Sequence, residues 1–178
     1  AICVGRLEWE KGIDRLIDIW LSVHNTHPDW VLDIYGQGML QDELQQKILA
    51  ANAGTYIHLK GSSPDIMYEY LNCSLLVLTS RYEGFPMALL ESMACGVPCV
   101  TYDCPFGPRS MITNMRNGIL VEEGDKKEMV DKINYLIENE KNRKKIGTNA
   151  RKYVLQYSQK NIMDKWNILF NNCLTITS

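Results

Sequence analysis

Two short segments of the chain carry residue types that can hold a phosphate or a sugar. The first is Gly5-Arg6-Leu7-Glu8-Trp9-Glu10-Lys11-Gly12, lying between an apolar run and a stretch of helical spacing. Two cations thus flank a strand-to-helix junction, glycines let the backbone approach a ligand, and the helix start adds partial positive charge. This is the pattern of an anion clamp; the alternative is that Arg6 and Lys11 pair with Glu8 and Glu10 on the surface. Neither the Walker pattern GxxxxGK[ST] nor GxGxxG is present. The second segment is Ser80-Arg81-Tyr82-Glu83-Gly84-Phe85-Pro86-Met87-Ala88-Leu89-Leu90-Glu91. Proline suits the first helical position, so a helix opening at Pro86 would aim free N–H groups outward as a second anion site. Glu91 falls one turn beyond Met87, on a face turned away from Leu89, Leu90 and Met93. A carboxylate there can accept two hydrogen bonds from a vicinal diol. Taken alone, Glu83 could merely complement a helix dipole and Glu91 could be solvated. Together they would repel a phosphate unless each has its own hydroxyl partner, which a diphosphate with a sugar at both ends supplies.

The flanking elements must place these segments side by side. Apolar runs at residues 1–4, 30–35, 55–59, 75–78, 97–102 and 118–121 predict six strands. Helical stripes separate them: Ile13, Leu16, Ile17, Trp20 and Leu21; Leu40, Leu44, Ile48 and Ala51; Leu89, Leu90, Met93 and Ala94; Met129, Val130, Ile133, Leu136 and Ile137. A short helix is expected over 65–71 and two more toward the C-terminus. Six short strands nearly continuous in apolar residues, alternating with helices, predict a parallel sheet covered on both faces, a Rossmann-like three-layer α/β/α domain. Such sheets bind ligands beyond the carboxyl ends of their strands, where both segments fall.

Composition limits the alternatives. At 178 residues with 46% apolar and 22% charged residues, the chain fits one domain and excludes disorder, collagen and small disulfide scaffolds. A net charge of −2 supplies no basic field for nucleic acid. Cys3, Cys73, Cys95, Cys99, Cys104 and Cys173 form no CxxC pair, and His24, His27 and His58 do not complete a zinc spacing, so reduced structural thiols in a cytosolic compartment are expected, with no metal. No apolar stretch approaches the ~18 residues of a spanning helix, and the domain is expected to be soluble.

The motifs carry a resemblance. The first segment resembles the GR-x4-KG signature of glycosyltransferase family 4, in the C-terminal domain of an enzyme of GT-B fold. Glu83 to Glu91 resembles the E-x7-E signature, with Glu83-Gly84-Phe85-Pro86 and Leu89-Leu90-Glu91-Ser92-Met93-Ala94-Cys95-Gly96-Val97-Pro98 around it. The resemblance covers nearly the whole chain. It implies that Arg6 and Lys11 bind the donor diphosphate, assisted by backbone around Gly84, Phe85 and Met87. Glu91 would hold the ribose, Glu83 the transferred sugar, Gly61-Ser62-Ser63 the base, and Gly36 and Gly38 would line the pocket floor. In the loop Cys104-Pro105-Phe106-Gly107-Pro108, Arg109-Ser110-Met111 stands where polysaccharide-building relatives commonly carry an acidic residue. Arg109 either adds a phosphate contact or, as favoured, points to solvent.

The implied reaction is retaining transfer of a hexosyl unit from a nucleotide-diphosphate sugar, with a UDP-sugar favoured, to a saccharide or lipid-linked acceptor in polysaccharide or lipopolysaccharide biosynthesis. Arg6, Lys11 and the helix start would stabilise the departing diphosphate, with Glu83 orienting the donor rather than attacking it. No cofactor or metal is implied. Ala1-Ile2-Cys3-Val4 reads as a strand cut into, so an N-terminal acceptor domain is expected to be missing and the fragment to turn over little. A non-catalytic nucleotide-sugar-binding domain and a nucleotide-sugar epimerase are the alternatives. The basic run Lys141, Arg143, Lys144, Lys145, Arg151 and Lys152 is expected to be a solvated helix face, with contact to the inner membrane surface as its alternative. Met163, Trp166, Ile168, Leu169 and Phe170 are expected to pack on the missing domain.

Overall fold

The computed structural model describes residues 1–176. Six parallel strands, β1 (Ile2–Val4), β2 (Leu32–Tyr35), β3 (Ile57–Gly61), β4 (Leu76–Leu78), β5 (Cys99–Tyr102) and β6 (Ile119–Val121), form one sheet in the order β3-β2-β1-β4-β5-β6. Every intervening crossover carries helix or turn, so both faces are covered and the strands are mostly buried, as their apolar runs require. The chain winds outward in one direction from β1 and in the other from β4. Loops leaving the carboxyl ends of these two neighbours therefore diverge and leave a crevice between them. Those loops are the two segments singled out from the sequence.

Helices α1 (Ile13–Thr26), α2 (Gln41–Ala50), α3 (Ile66–Leu71), α4 (Met87–Ala94), α5 (Lys126–Glu138), α6 (Glu140–Val154) and α7 (Gln159–Ile176) complete the fold. Helix α1 buries Ile13, Leu16, Ile17, Ile19, Trp20 and Val23. It starts from Gly12 at φ 63°, where a Cβ would run into the Thr79 carbonyl, so only glycine lets the first loop lie against the end of β4. Strands β2, β3 and β5 each begin two residues later than their apolar runs predict, and β3 also runs on to Gly61. The Trp30 amide donates to the His27 carbonyl, closing a turn ahead of β2, and the Val97 amide donates to the Ser92 carbonyl, closing α4 ahead of β5.

Three readings of helix faces need correction. The buried stripe of α4 is Leu89, Ser92 and Met93, while Leu90 is half-buried and Ala94 exposed. Ser92 is tolerated there because its hydroxyl donates to the Leu89 carbonyl at 2.9 Å. Pro86 is the residue before the helix rather than its first residue. In the basic run, Arg143 leaves the solvated face: its guanidinium donates to the Leu136 and Ile137 carbonyls, closing α5, and lies over the Trp30 ring. Lys144 pairs with Glu140 one turn earlier. On α7, Met163, Trp166, Ile168, Leu169 and Phe170 are exposed. No helix of the described residues is long and apolar enough to cross a membrane.

Candidate functional site

Each loop is set by backbone contacts. In the first loop, buried Leu7 is the anchor: its amide donates to the Gln37 carbonyl and its carbonyl accepts from the Leu40 amide. A Cβ at Gly36 would strike the Gly5 carbonyl and one at Gly38 would strike the Leu7 carbonyl. These two glycines thus let the loop after β2 press against the first loop from beneath. Between its anchors Arg6 stands exposed, with no ion-pair or hydrogen-bond partner among the described residues.

Lys11 is held differently. Its Nζ lies 2.7 Å from Glu83 Oε1, and Ser80 Oγ donates to the same oxygen at 2.7 Å. Glu83 is 7% exposed. The surface pairing open to Lys11 in the sequence is therefore not formed, and Glu8 instead accepts from the Met39 amide. The loop after β5 closes on Glu83 from another side. Phe106, at φ 74°, forms a parallel bridge with Glu83, and a Cβ at Gly107 would approach the Glu83 Cβ to 2.8 Å. Burial pushes the Cys104 thiol up to about 11, helped by the Glu83 carboxylate, and burial pushes Cys3 up to about 12. Both thiols are neutral packing groups near neutral pH rather than nucleophiles.

Arg81 ties the two loops together, and nothing in the sequence marked it. It makes two hydrogen bonds to Asp14, at 2.8 and 2.6 Å, and a third to the Trp9 carbonyl at 2.7 Å. Its own amide donates to the Glu10 carbonyl and its guanidinium stacks 4.8 Å from the Trp9 ring. The Arg81 hydrogen bonds hold the Asp14 carboxyl below its ordinary range, and Asp14 in turn raises Arg81. Arg81 lies within the motif segment, but its partners are more than 65 residues away in sequence, so no local signal could assign them.

Beyond Pro86, Met87 and Ala88 occupy the first turn of α4, where amides lack an intrahelical acceptor. Gly84 is open, and exposed Phe85 meets the Tyr157 ring edge-on. One turn further along α4, half-buried Glu91 accepts from the hydroxyl of fully buried Tyr70 at 3.2 Å. Burial, with the nearby carboxylate, raises Tyr70 well above the ordinary phenol range, which keeps it a donor. Tyr70 is the second positioning residue that sequence reasoning missed. Glu91 also borders an apolar groove of about 320 Å³ lined by Met67, Leu90, Ala94, Val154, Leu155 and Tyr157.

The third loop divides its residues between roles. Gly61, at φ 70°, receives the Gly36 amide on its carbonyl. Ser63 is committed to the start of α3, donating to Glu69 and accepting from the Asp65 amide, while Ser62 is exposed. Arg109 is exposed, as favoured, and pairs at the surface with Asp103 through two hydrogen bonds of 2.8 Å. That pairing raises Arg109 and uses its Nε and one Nη. Among the described residues no group of three or more His, Cys, Asp or Glu side chains is arranged to hold a metal ion.

Comparison with known proteins places this geometry in context. Residues 1–153 match the family model for glycosyl transferases group 1. The chain is 32% identical over 171 residues to the amylovoran biosynthesis glycosyltransferase AmsD of Erwinia amylovora, an alignment covering 96% of this chain and 48% of AmsD. It superposes on Staphylococcus aureus TarM, crystallised with fondaparinux, alpha-GlcNAc-glycerol and UDP, with a TM-score of 0.90 and 31% identity, covering 96% of this chain and 35% of that one. Anabaena HepE, crystallised with UDP and glucose, gives a TM-score of 0.80 at 27% identity, covering 87% of this chain and 43% of HepE. The chain thus spans about half or less of the relatives it matches.

Proposed function

Because this chain belongs to the glycosyl transferases group 1 family, we propose that it is the donor-binding C-terminal domain of a retaining, family 4 glycosyltransferase of GT-B fold. The observation that carries the reading is the meeting, at the β1/β4 crevice, of an unpartnered Arg6, the Lys11–Glu83 pair and the open first turn of α4. Arg6, Lys11 and the amides of Met87 and Ala88 receive the diphosphate. As the glycosidic bond lengthens, negative charge grows on the departing diphosphate, and these groups stabilise it without having to reorganise. Glu83 accepts from hydroxyls of the transferred hexose and orients it, and Glu91, aimed by Tyr70, accepts from the ribose diol. The backbone of Gly61-Ser62-Ser63 faces the base. UDP in the TarM and HepE structures supports a UDP-sugar donor, and the amylovoran relative supports a saccharide or lipid-linked acceptor in polysaccharide assembly. The acceptor then comes from the other half of the enzyme, which would also cover the apolar face of α7.

Calorimetry tests this directly. UDP titrated into the wild-type chain is expected to give saturable heat, and into Arg6→Ala/Lys11→Ala none. Absent heat in the wild type, or equal heat in both, overturns the reading.

A further inference from the structure

We propose that the Lys11–Glu83 pair is a latch by which the site prefers a sugar-bearing nucleoside diphosphate over the bare nucleoside diphosphate, an inference that rests on the donor-site reading above. The two partners differ in freedom. Glu83 is fixed on three sides, by Ser80 Oγ at 2.7 Å, by the bridge to Phe106 and by the close approach of Gly107. Lys11 reaches it on a flexible stem whose Cγ and Cδ lie over Gly5, about 3.5 Å from where a Cβ would stand. A diphosphate that recruits the lysine therefore draws the ammonium off a carboxylate that stays behind. Glu83 is then left buried with Ser80 as its remaining donor, and stranding a shielded carboxylate without its cation is costly. Hydroxyls of a hexose carried on the diphosphate would donate to Glu83 and restore what Lys11 removed. A bare nucleoside diphosphate brings no such hydroxyl and must bind against the full cost. The latch thus weakens the hold on the product while sparing the donor, which favours product release after transfer.

The arrangement also separates the two cations. Arg6 starts without a partner, so its gain on meeting a phosphate is undiminished, whereas Lys11 must first give up Glu83. Removing Lys11 should therefore cost bare UDP less than removing Arg6.

Calorimetry with UDP and with UDP-N-acetylglucosamine on the wild-type chain, Glu83→Gln, Lys11→Met and the double variant tests the latch, with melting curves as the check on folding. Glu83→Gln keeps the shape and the acceptor toward Ser80 but removes the charge. It is expected to tighten UDP by roughly tenfold, by releasing a binding-competent lysine, and to loosen UDP-N-acetylglucosamine. The tightening should vanish in the Lys11→Met background. Simple repulsion between Glu83 and the diphosphate would persist there, so a tightening that survives Lys11→Met overturns the latch. Saturable UDP heat that Glu83→Gln does not strengthen overturns the latch alone, and no UDP heat with any protein overturns it together with the site reading. Should Glu83→Gln fail to fold, the cations decide: Lys11→Met weakening UDP as much as Arg6→Ala does overturns the latch, and a clearly smaller loss supports it.

Discussion

Before the N-terminal end of α4, Glu83 is buried and holds a lysine and a serine on one oxygen; near its other end, Glu91 is half-buried and takes one hydrogen bond from a neutral tyrosine. In the function proposed above, the same residue type is thus prepared in two ways for two sugars. Glu83 is paired with Lys11 and, under the latch proposal, exchanges that cation for hydroxyls. Glu91 is aimed by Tyr70 and, on that reading, meets the ribose diol without giving up an ion-pair partner. The end nearest the chemistry is the one preset by strong, charged contacts, and the distal end is left to simple recognition. Geometry held by tertiary ion pairs can discriminate between ligands, whereas geometry held by one hydroxyl mainly adds affinity.

Four substitutions test this contrast. The largest loss is expected for Arg6→Ala/Lys11→Ala, where UDP affinity falls by roughly 30-fold or more, most of it from Arg6, since a charge-assisted phosphate contact contributes about 1.5–3 kcal/mol and the share of Lys11 is reduced by the cost of leaving Glu83. Arg81→Met comes next. Without the strap the first loop is no longer tied to the fourth, and UDP affinity is expected to fall by roughly tenfold with about 1–2 kcal/mol of stability lost. Because Asp14 is only partly buried, most of that loss is hydrogen bonding rather than charge. The pH dependence follows from the depressed Asp14 carboxyl: its contribution is complete above the ordinary value of 3.8 and fades as pH falls below it. Melting temperatures of the wild type and Arg81→Met should therefore converge in acid and differ at neutral pH; a constant gap would show that the carboxylate is not involved.

Glu91→Gln should weaken UDP and UDP-N-acetylglucosamine alike, by about threefold to tenfold, since both carry the ribose. A change confined to the sugar-bearing ligand would reverse the assignments of the two carboxylates. Tyr70→Phe should be the mildest, weakening both ligands by about twofold to fivefold as Glu91 loses its aim, with about 1 kcal/mol lost in denaturant titration. If Tyr70→Phe instead exceeds Glu91→Gln in its effect on UDP, the tyrosine acts on the ligand by a route other than Glu91.

The sheet was legible because its central strands are buried on both faces and read as apolar runs, as in β4 and β5, while edge strand β3 keeps only an alternating pattern with His58 and Lys60. Both motif loops were legible because helix starts and turns depend on neighbours in sequence: Gly12, Gly36 and Pro86 each announce a backbone need that a local window contains. Leu90 and Ala94 were misplaced because periodicity cannot register that Ser92 satisfies its hydroxyl within its own helix and so enters the core. Arg143 was misread because its acceptors belong to the preceding helix; Arg109 is exposed as favoured, with Asp103, six residues back, as a partner that the sequence alone did not show.

Residue types and spacing alone determined the layered parallel fold, the two loops that bear charge, and the pair of carboxylates one helix apart. Tertiary structure alone decided that Lys11 faces Glu83 across 72 residues while Arg6 faces none, that Arg81 joins the loops, and that Tyr70 aims Glu91. The reason is range. Propensity, capping and hydrophobic period act within a few residues, whereas ion-pair partners are chosen by strand order, and strand order becomes physical only when β1 and β4 lie side by side.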